Sequence, residues 1–259
     1  MILPFALWGT AMAAMAPLVE SGGPLIVASL RLLPAGLILL FAVPILGRSL
    51  SIARSDFSWF VIFTLVDATI FQSCLAKGLL ESGAGLGSVL IDSQPLMVAL
   101  LARTLFGDAI NPFGWLGLVI GVAGIVCLGA PPGFLFDWWL LGEKAALSGL
   151  WTHGEAWMLG AALAMALGTV LIRFACKDSD PVAVTGWHMV FGSFPLIFSY
   201  LIDSNTPLIP HWTSFEWGLM AYSAVFGSAV AYGLFFWFAN QKELTTFSTL
   251  AFLTPVFAL

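Results

Sequence analysis

The sequence predicts an all-α integral membrane protein built as an inverted repeat of two five-helix units, and three observations predict it. The first is composition: the 259 residues are 60% hydrophobic and only 9% charged, with a mean hydropathy of +0.99. A soluble domain carries about 25% charged residues because its surface faces water, so this chain has too little polar surface to coat a globule. The second is the length of the apolar runs. Runs of roughly 20 residues cross a hydrocarbon core of ~30 Å at ~1.5 Å per residue, and they lack the two-residue alternation of a barrel strand. The third is repetition. Pro24 and Arg31 recur 157 residues later as Pro181 and His188, and Ser88 and Pro95 recur 160 residues later as Ser248 and Pro255. Trp59 is matched by Trp217, and Gly9-Thr10 by Gly168-Thr169 two residues out of register. An odd number of spans per unit inverts the second copy relative to the first.

Taken in order, the first unit, residues 1–130, holds spans near 2–19, 25–46, 57–79, 84–106 and 112–130. A connector follows at 131–154, whose Trp138-Trp139 pair suits the headgroup level. The second unit, 155–259, holds spans near 155–175, 181–202, 215–239 and 245–259. After Pro95 the first copy continues through a whole further span, whereas four residues follow Pro255. The expectation is therefore a chain lacking the end of its ninth span and all of its tenth. Arg48, Arg54, Arg103, Arg173, Lys177 and Lys242 fall on one side and Lys77 and Lys144 on the other. Positive charge concentrates inside, which places the N-terminus in the cytoplasm or stroma. No cleavable leader is visible, since the first apolar run starts at Ile2 and reaches spanning length. Cys74, Cys127 and Cys176 lie in or beside apolar runs without close spacing, as buried free thiols do. No basic cluster points to nucleic acid.

Polar groups inside spans carry the functional signal, because an ionisable side chain at that depth costs at least ~2.5 kcal/mol unless it faces protein or a wet cavity. Gly85, Ser88, Asp92, Pro95 and Ala99 recur at three- and four-residue spacing and share one face, small and polar, of the fourth span. Pro95 removes a backbone bond there and bends the helix, with Gln94 beside it. Asp67 sits at the centre of the third span with Thr64 and Phe71 on its face, and Gln72 points elsewhere. Arg31 and His188 occupy matching positions. Arg31 is expected to pair with a carboxylate of a neighbouring helix, and His188 either titrates near neutral pH or packs as a hydrogen-bonded core residue. Trp8, Thr10, Tyr222, Ser228, Tyr232 and Trp237 are candidates to line a pocket, since aromatic walls with a few polar groups suit small molecules. Gly85, Gly117, Gly121, Gly160 and Gly168, with Ala164, are read as close helix contacts, and the fifth span alternatively as a homodimer face. No metal or cofactor is called for: His153 and His211 lie in loops without ligand spacing, and Gly83, Gly85 and Gly87 follow no strand.

The order of these features resembles the EamA-type branch of the drug/metabolite transporter superfamily. The likeness runs from Trp8-Gly9-Thr10 to Thr254-Pro255 and includes Ser82-Gly83-Ala84-Gly85-Leu86-Gly87-Ser88 and the glycine-rich stretch from Gly114 to Gly129. Leu65-Val66-Asp67-Ala68-Thr69, Ile91-Asp92-Ser93-Gln94-Pro95 and Thr185-Gly186-Trp187-His188-Met189-Val190 are similar to cyanobacterial and plant-plastid members. The resemblance implies a ten-helix secondary transporter of small metabolites in a plasma membrane or plastid envelope. Its central cavity would be lined by helices one, three, four, six, eight and nine. On that reading Asp67, Asp92, Gln94, Ser88, Trp8, Thr10, Ser228, Tyr232, His188 and Arg31 form the substrate or proton pathway, and Pro95 and Pro255 are gating hinges. Two alternatives stay open. One is a membrane-embedded enzyme using Asp67, Asp92 and His188 as acid and base groups; the other is an assembly subunit that transports nothing.

Overall fold

The structure, a computed structural model, describes residues 1–110, 112–129, 153–202, 210–241 and 247–258. Those residues contain helices and no strand. Trp138, Trp139, Lys242 and the first residues of the ninth span lie outside the described residues.

Proline and glycine set the first boundaries. Helix α1 (Leu3–Gly22) ends at Gly23, whose φ of 89° few side chains tolerate, and α2 (Pro24–Ile45) starts on a proline that has no N–H to leave unpaired. The third span is composite: α3 (Phe57–Phe63), a π-helical segment Thr64–Ile70, then α4 (Phe71–Ile91). The apolar stretch Phe57–Phe106 has 50 residues, and a straight helix of that length would reach roughly 75 Å, far beyond a bilayer. Gly83, at φ 74° and ψ 172°, breaks it into two spans.

The fourth span breaks again at Asp92-Ser93, and α5 (Gln94–Phe106) begins there, with Pro95 as its second residue. Pro95 was expected inside a continuous helix. It sits instead in the first turn of a new one, where its missing N–H costs nothing. The ninth span repeats the device: a 3₁₀ segment Thr249–Leu253 precedes α11 (Thr254–Ala258), in which Pro255 is again second. Between them run α6 (Pro112–Gly129), α7 (His153–Ala175), α8 (Pro181–Ile202), α9 (Ser214–Ala224) and α10 (Ala231–Gln241). A second π segment, Val225–Val230, joins α9 to α10. Six of these apolar stretches are long enough to cross a membrane. Large apolar side chains such as Phe41 and Phe113 face outward, as lipid contact allows.

Lipid tails are as apolar as leucine, so helices in a bilayer associate through close packing rather than the hydrophobic effect. Counterpart helices α2 and α8 make the most extensive contact, with α4 on α7 next. Gly36 lies against the Gly186 carbonyl and Val190, and a Cβ at Gly186 would press on Leu40. Asp67 packs on Gly168 in the sixth span, and Gly227, 160 residues on from Asp67, packs on Ala11 in the first. Among the described residues Gly121 touches Leu96 and Gly160 touches Cys74 at ordinary distance, but Gly85 and Gly117 face open space. Among the described residues nothing packs on those two glycines: Gly83 turns the chain beside Gly85, and Gly117 lies on an exposed face of α6.

Polar bonds lock one end of the bundle. Arg48 pairs with Asp180 at 3.0 Å, Asp56 accepts from Ser179 Oγ at 2.7 Å and from the Asp178 N–H at 2.9 Å, and Asp180 caps α8. Trp212 Nε1–H donates to Ser21 Oγ at 3.0 Å at the other end, beside the Thr213–Glu216 capping box that starts α9.

Candidate functional site

Two polar clusters lie within the spans. The first lines a cavity of about 40 Å³ walled by Trp8, Met12, Arg31, Phe71, Leu75, Ile91, Asp92, Gln94, Met165, Tyr232, Ala251 and Thr254. On this scale one water occupies ~10–15 Å³, so the space holds about three waters. Pockets that take drug-sized ligands run to roughly 300–1,000 Å³, so this cavity is far smaller than such a site. Residues from both halves of the chain form its walls.

Gln72 ties the chamber together. Its carbonyl oxygen accepts from Arg31, and its NH₂ donates to the Tyr232 hydroxyl at 2.9 Å. Arg31 also contacts the Met15 sulfur, and its Nε–H has no acceptor. Among the described residues Arg31 has no carboxylate partner of the kind expected; the amide of Gln72 holds that place. Gln72 was missed for a physical reason. A π segment lies immediately before it, and one extra residue per turn rotates everything after it off the 3.6-residue register. Gln72 and Tyr232 are separated by the same 160 residues as Pro95 and Pro255, and each follows its π segment by two residues.

Gln94 donates from Nε2 to Thr169 Oγ1 at 3.1 Å. Asp92, at the C-terminal end of α4, faces the cavity, and its carboxyl makes no hydrogen bond among the described residues. Trp8 stacks edge-on with Tyr232 at 5.0 Å, and its indole N–H is unpaired.

The second cluster is Asp67 with His188. Both are essentially sealed, at 0% and 1% exposure, with Phe63 and Phe236 packed on the imidazole. His188 Nδ1 lies 2.5 Å from the Thr185 carbonyl and Nε2 lies 3.1 Å from Asp67 Oδ2. A carbonyl only accepts, so Nδ1 carries a proton, and Nε2 and Oδ2 share one more between them. The pair is then net neutral whichever atom holds the shared proton. Asp67 Oδ1 has no partner. Neither residue lines the cavity.

Several candidates are elsewhere. Ser88 Oγ donates to the Gly85 carbonyl of its own helix, and Ser228 Oγ to the Ser223 carbonyl five residues back. Thr10 and Tyr222 bond to each other at 2.7 Å at an exposed position. Trp237 lines a separate outer groove with Leu39, Arg48 and Val182. Pro95 is buried at the helix break beside Asp92.

Comparison with known proteins adds the relationships. Residues 1–130 and 152–259 match the EamA-like transporter family. An uncharacterized transporter of the cyanobacterium Synechocystis, sll0355, is 47% identical over 265 residues, covering all of this chain and 79% of that protein. The chloroplastic WAT1-related protein At3g02690 of Arabidopsis thaliana is 43% identical, and this chain spans 61% of its length. A solved crystal structure with 14% sequence identity superimposes with a TM-score of 0.70, covering 99% of this chain and 85% of that one. The last likeness concerns the fold alone.

Proposed function

The chain belongs to the EamA-like transporter family, and from that premise we propose that it is a secondary transporter moving a small metabolite by alternating access. It is an integral, multi-pass membrane protein, and its relatives are named transporters. The observation that carries the proposal is the chamber built from both halves, lined by Arg31 and Asp92 from the first and Tyr232 and Thr254 from the second.

A five-span unit at 1–130 and an incomplete second unit of about four spans at 155–259, inverted relative to the first, account for the geometry best. The hydrogen bond between the counterparts Gln72 and Tyr232 supports an axis through that point. The contact of Asp67 with Gly168 and its echo, Gly227 with Ala11, supports each third span packing on the first span of the other half. The breaks before Pro95 and Pro255 then serve as paired hinges. The N-terminus lies in the cytoplasm or stroma on the positive-charge count, in a plasma membrane or a plastid envelope, and the direction of flux is export or exchange.

The pair Asp67–His188 supports proton coupling. It shares one proton, and losing it leaves two lone pairs facing each other in a sealed site, so release has to accompany a change of conformation. An enzyme reading draws no such support, since Asp92 stands with Arg31 and Gln94 while Asp67 stands with His188. General acid–base chemistry needs those groups within hydrogen-bond reach of one reacting centre.

Counterflow in liposomes, with metabolites of each charge class, tests the reading. Labelled substrate is expected to accumulate against preloaded unlabelled substrate, and Pro95→Ala is expected to slow it. No counterflow of any compound in an oriented, folded preparation, together with no effect of Pro95→Ala on accessibility of the chamber, refutes it.

A further inference from the structure

We infer that Arg31 is the anchor for the carboxylate of a monoanionic organic acid with an apolar body, and that this chamber selects that substrate class. The inference rests on the transport reading and names what is carried.

Three observations support it. Arg31 is 2% exposed in the interior of α2, where an uncompensated cation is costly. Among the described residues the ion pairs are Arg48–Asp180 and Asp67–His188, so no carboxylate neutralises it. Its neighbours, the Met15 sulfur, the Gln72 amide oxygen and the Tyr232 hydroxyl, are neutral, and among the described residues its Nε–H has no acceptor. A guanidinium presents five donors in a planar fork that matches a carboxylate in two parallel bonds. With the bare Nε–H on the side of the guanidinium and no counter-charge beside it, one carboxylate fits that edge.

The remaining walls specify the body. Trp8, Phe71, Leu75, Ile91 and Met165 are apolar and face the same space as Arg31. A strongly hydrated inorganic anion gains nothing from them, whereas an aliphatic or aromatic body does. Gln72 holds the fork in place from behind while its NH₂ is occupied by Tyr232. Asp92 is the rival counter-ion, since it shares the chamber. It does not pair with Arg31 here, and the two would meet only if the fourth span moved.

Matched probes test this with wild-type protein in detergent and in liposomes. 3-Phenylpropionate and butyrate are compared with their amides and with 3-phenylpropylamine and butylamine, and chloride and phosphate serve as inorganic anions. The acids are expected to bind at least tenfold more tightly than the amides by thermal shift and titration, with no stabilisation by amines or inorganic anions. Arg31→Gln is expected to remove the preference and Arg31→Lys to keep part of it.

Equal binding of acid and amide overturns the inference in wild type alone, even where Arg31→Gln fails to fold. So does absence of acid binding, stabilisation by chloride or phosphate, or an acid effect that survives Arg31→Gln. Loss of stability in Asp92→Asn equal to that in Arg31→Gln would identify Asp92 as the counter-ion and also overturns it. Counterflow separates the two readings: flux of neutral or cationic compounds without acids leaves the transporter standing and removes the anion site, while flux of nothing removes both.

Discussion

Replacing Asp67 by asparagine separates the proton from the shape. In the structure Asp67 Oδ2 meets His188 Nε2 at 3.1 Å, Nδ1 is committed to Thr185, and Oδ1 is unpartnered. Asparagine is nearly isosteric. Its NH₂ donates to the bare Nε2, and its carbonyl takes the position of Oδ1. A hydrogen bond of this kind inside a helical bundle contributes about 0.6 kcal/mol and at most about 1.7, and the exchange retains it. Asp67→Asn should therefore change stability by less than about 1 kcal/mol, a midpoint shift of no more than about 4 °C. His188→Ala leaves a buried carboxyl alone between Gly168 and a vacated ring site, and breaking a buried pair costs about 3–5 kcal/mol. Its midpoint should fall by about 6 °C or more. The assay is thermal unfolding alongside uptake driven by a pH gradient in liposomes. Asp67→Asn should keep counterflow and lose gradient-driven accumulation, because its amide has no proton to exchange. Full accumulation in a folded Asp67→Asn variant, or a larger stability loss than in His188→Ala, would refute the shared-proton reasoning.

Glycine substitutions should divide by what faces them. Gly168→Ala drives a Cβ into the Asp67 carboxylate and should cost about 1–3 kcal/mol as overpacking; Gly117→Ala, in open space within a helix, should be neutral or stabilising by up to about 1 kcal/mol, both read by thermal unfolding. Cys176 lies just beyond the end of α7, where burial and then the neighbouring Asp56 and Asp180 carboxylates push its thiol far above the ordinary range. Maleimide at pH 7–8 should leave it unmodified, since only the thiolate reacts. Asp56→Ala removes the acceptor for Ser179 and the Asp178 N–H, so it should loosen that end of the bundle and speed Cys176 labelling several-fold, measured by mass shift over time.

Much of the fold was legible because membrane spans are marked by what ends them. Pro24, Pro112 and Pro181 open helices where the sequence suggested, and Gly23 closes one. Trp8, Arg31, Asp92, Gln94 and Tyr232, singled out in the sequence, line one cavity. What stayed hidden depends on backbone states without a residue signature. Thr64–Ile70 and Val225–Val230 read as ordinary apolar helix, yet past these π segments Gln72 and Tyr232 meet each other, and Gln72 holds Arg31. The arginine's missing carboxylate was equally invisible, since an amide serves as its partner. Ser88 and Ser228 looked like pocket groups because a hydroxyl in an apolar helix is conspicuous, but each satisfies a carbonyl of its own chain.

The two wide turns also amount to a spare residue stored in each half. Absorbing it into ordinary helix would swing everything downstream by about 100° and draw it along by about 1.5 Å. Gln72 and Tyr232 stand two residues past their respective turns, so both would rotate away from the midline at once. That rotation would part the Gln72 amide from the Tyr232 hydroxyl, so the bond between them and the two wide turns are coupled.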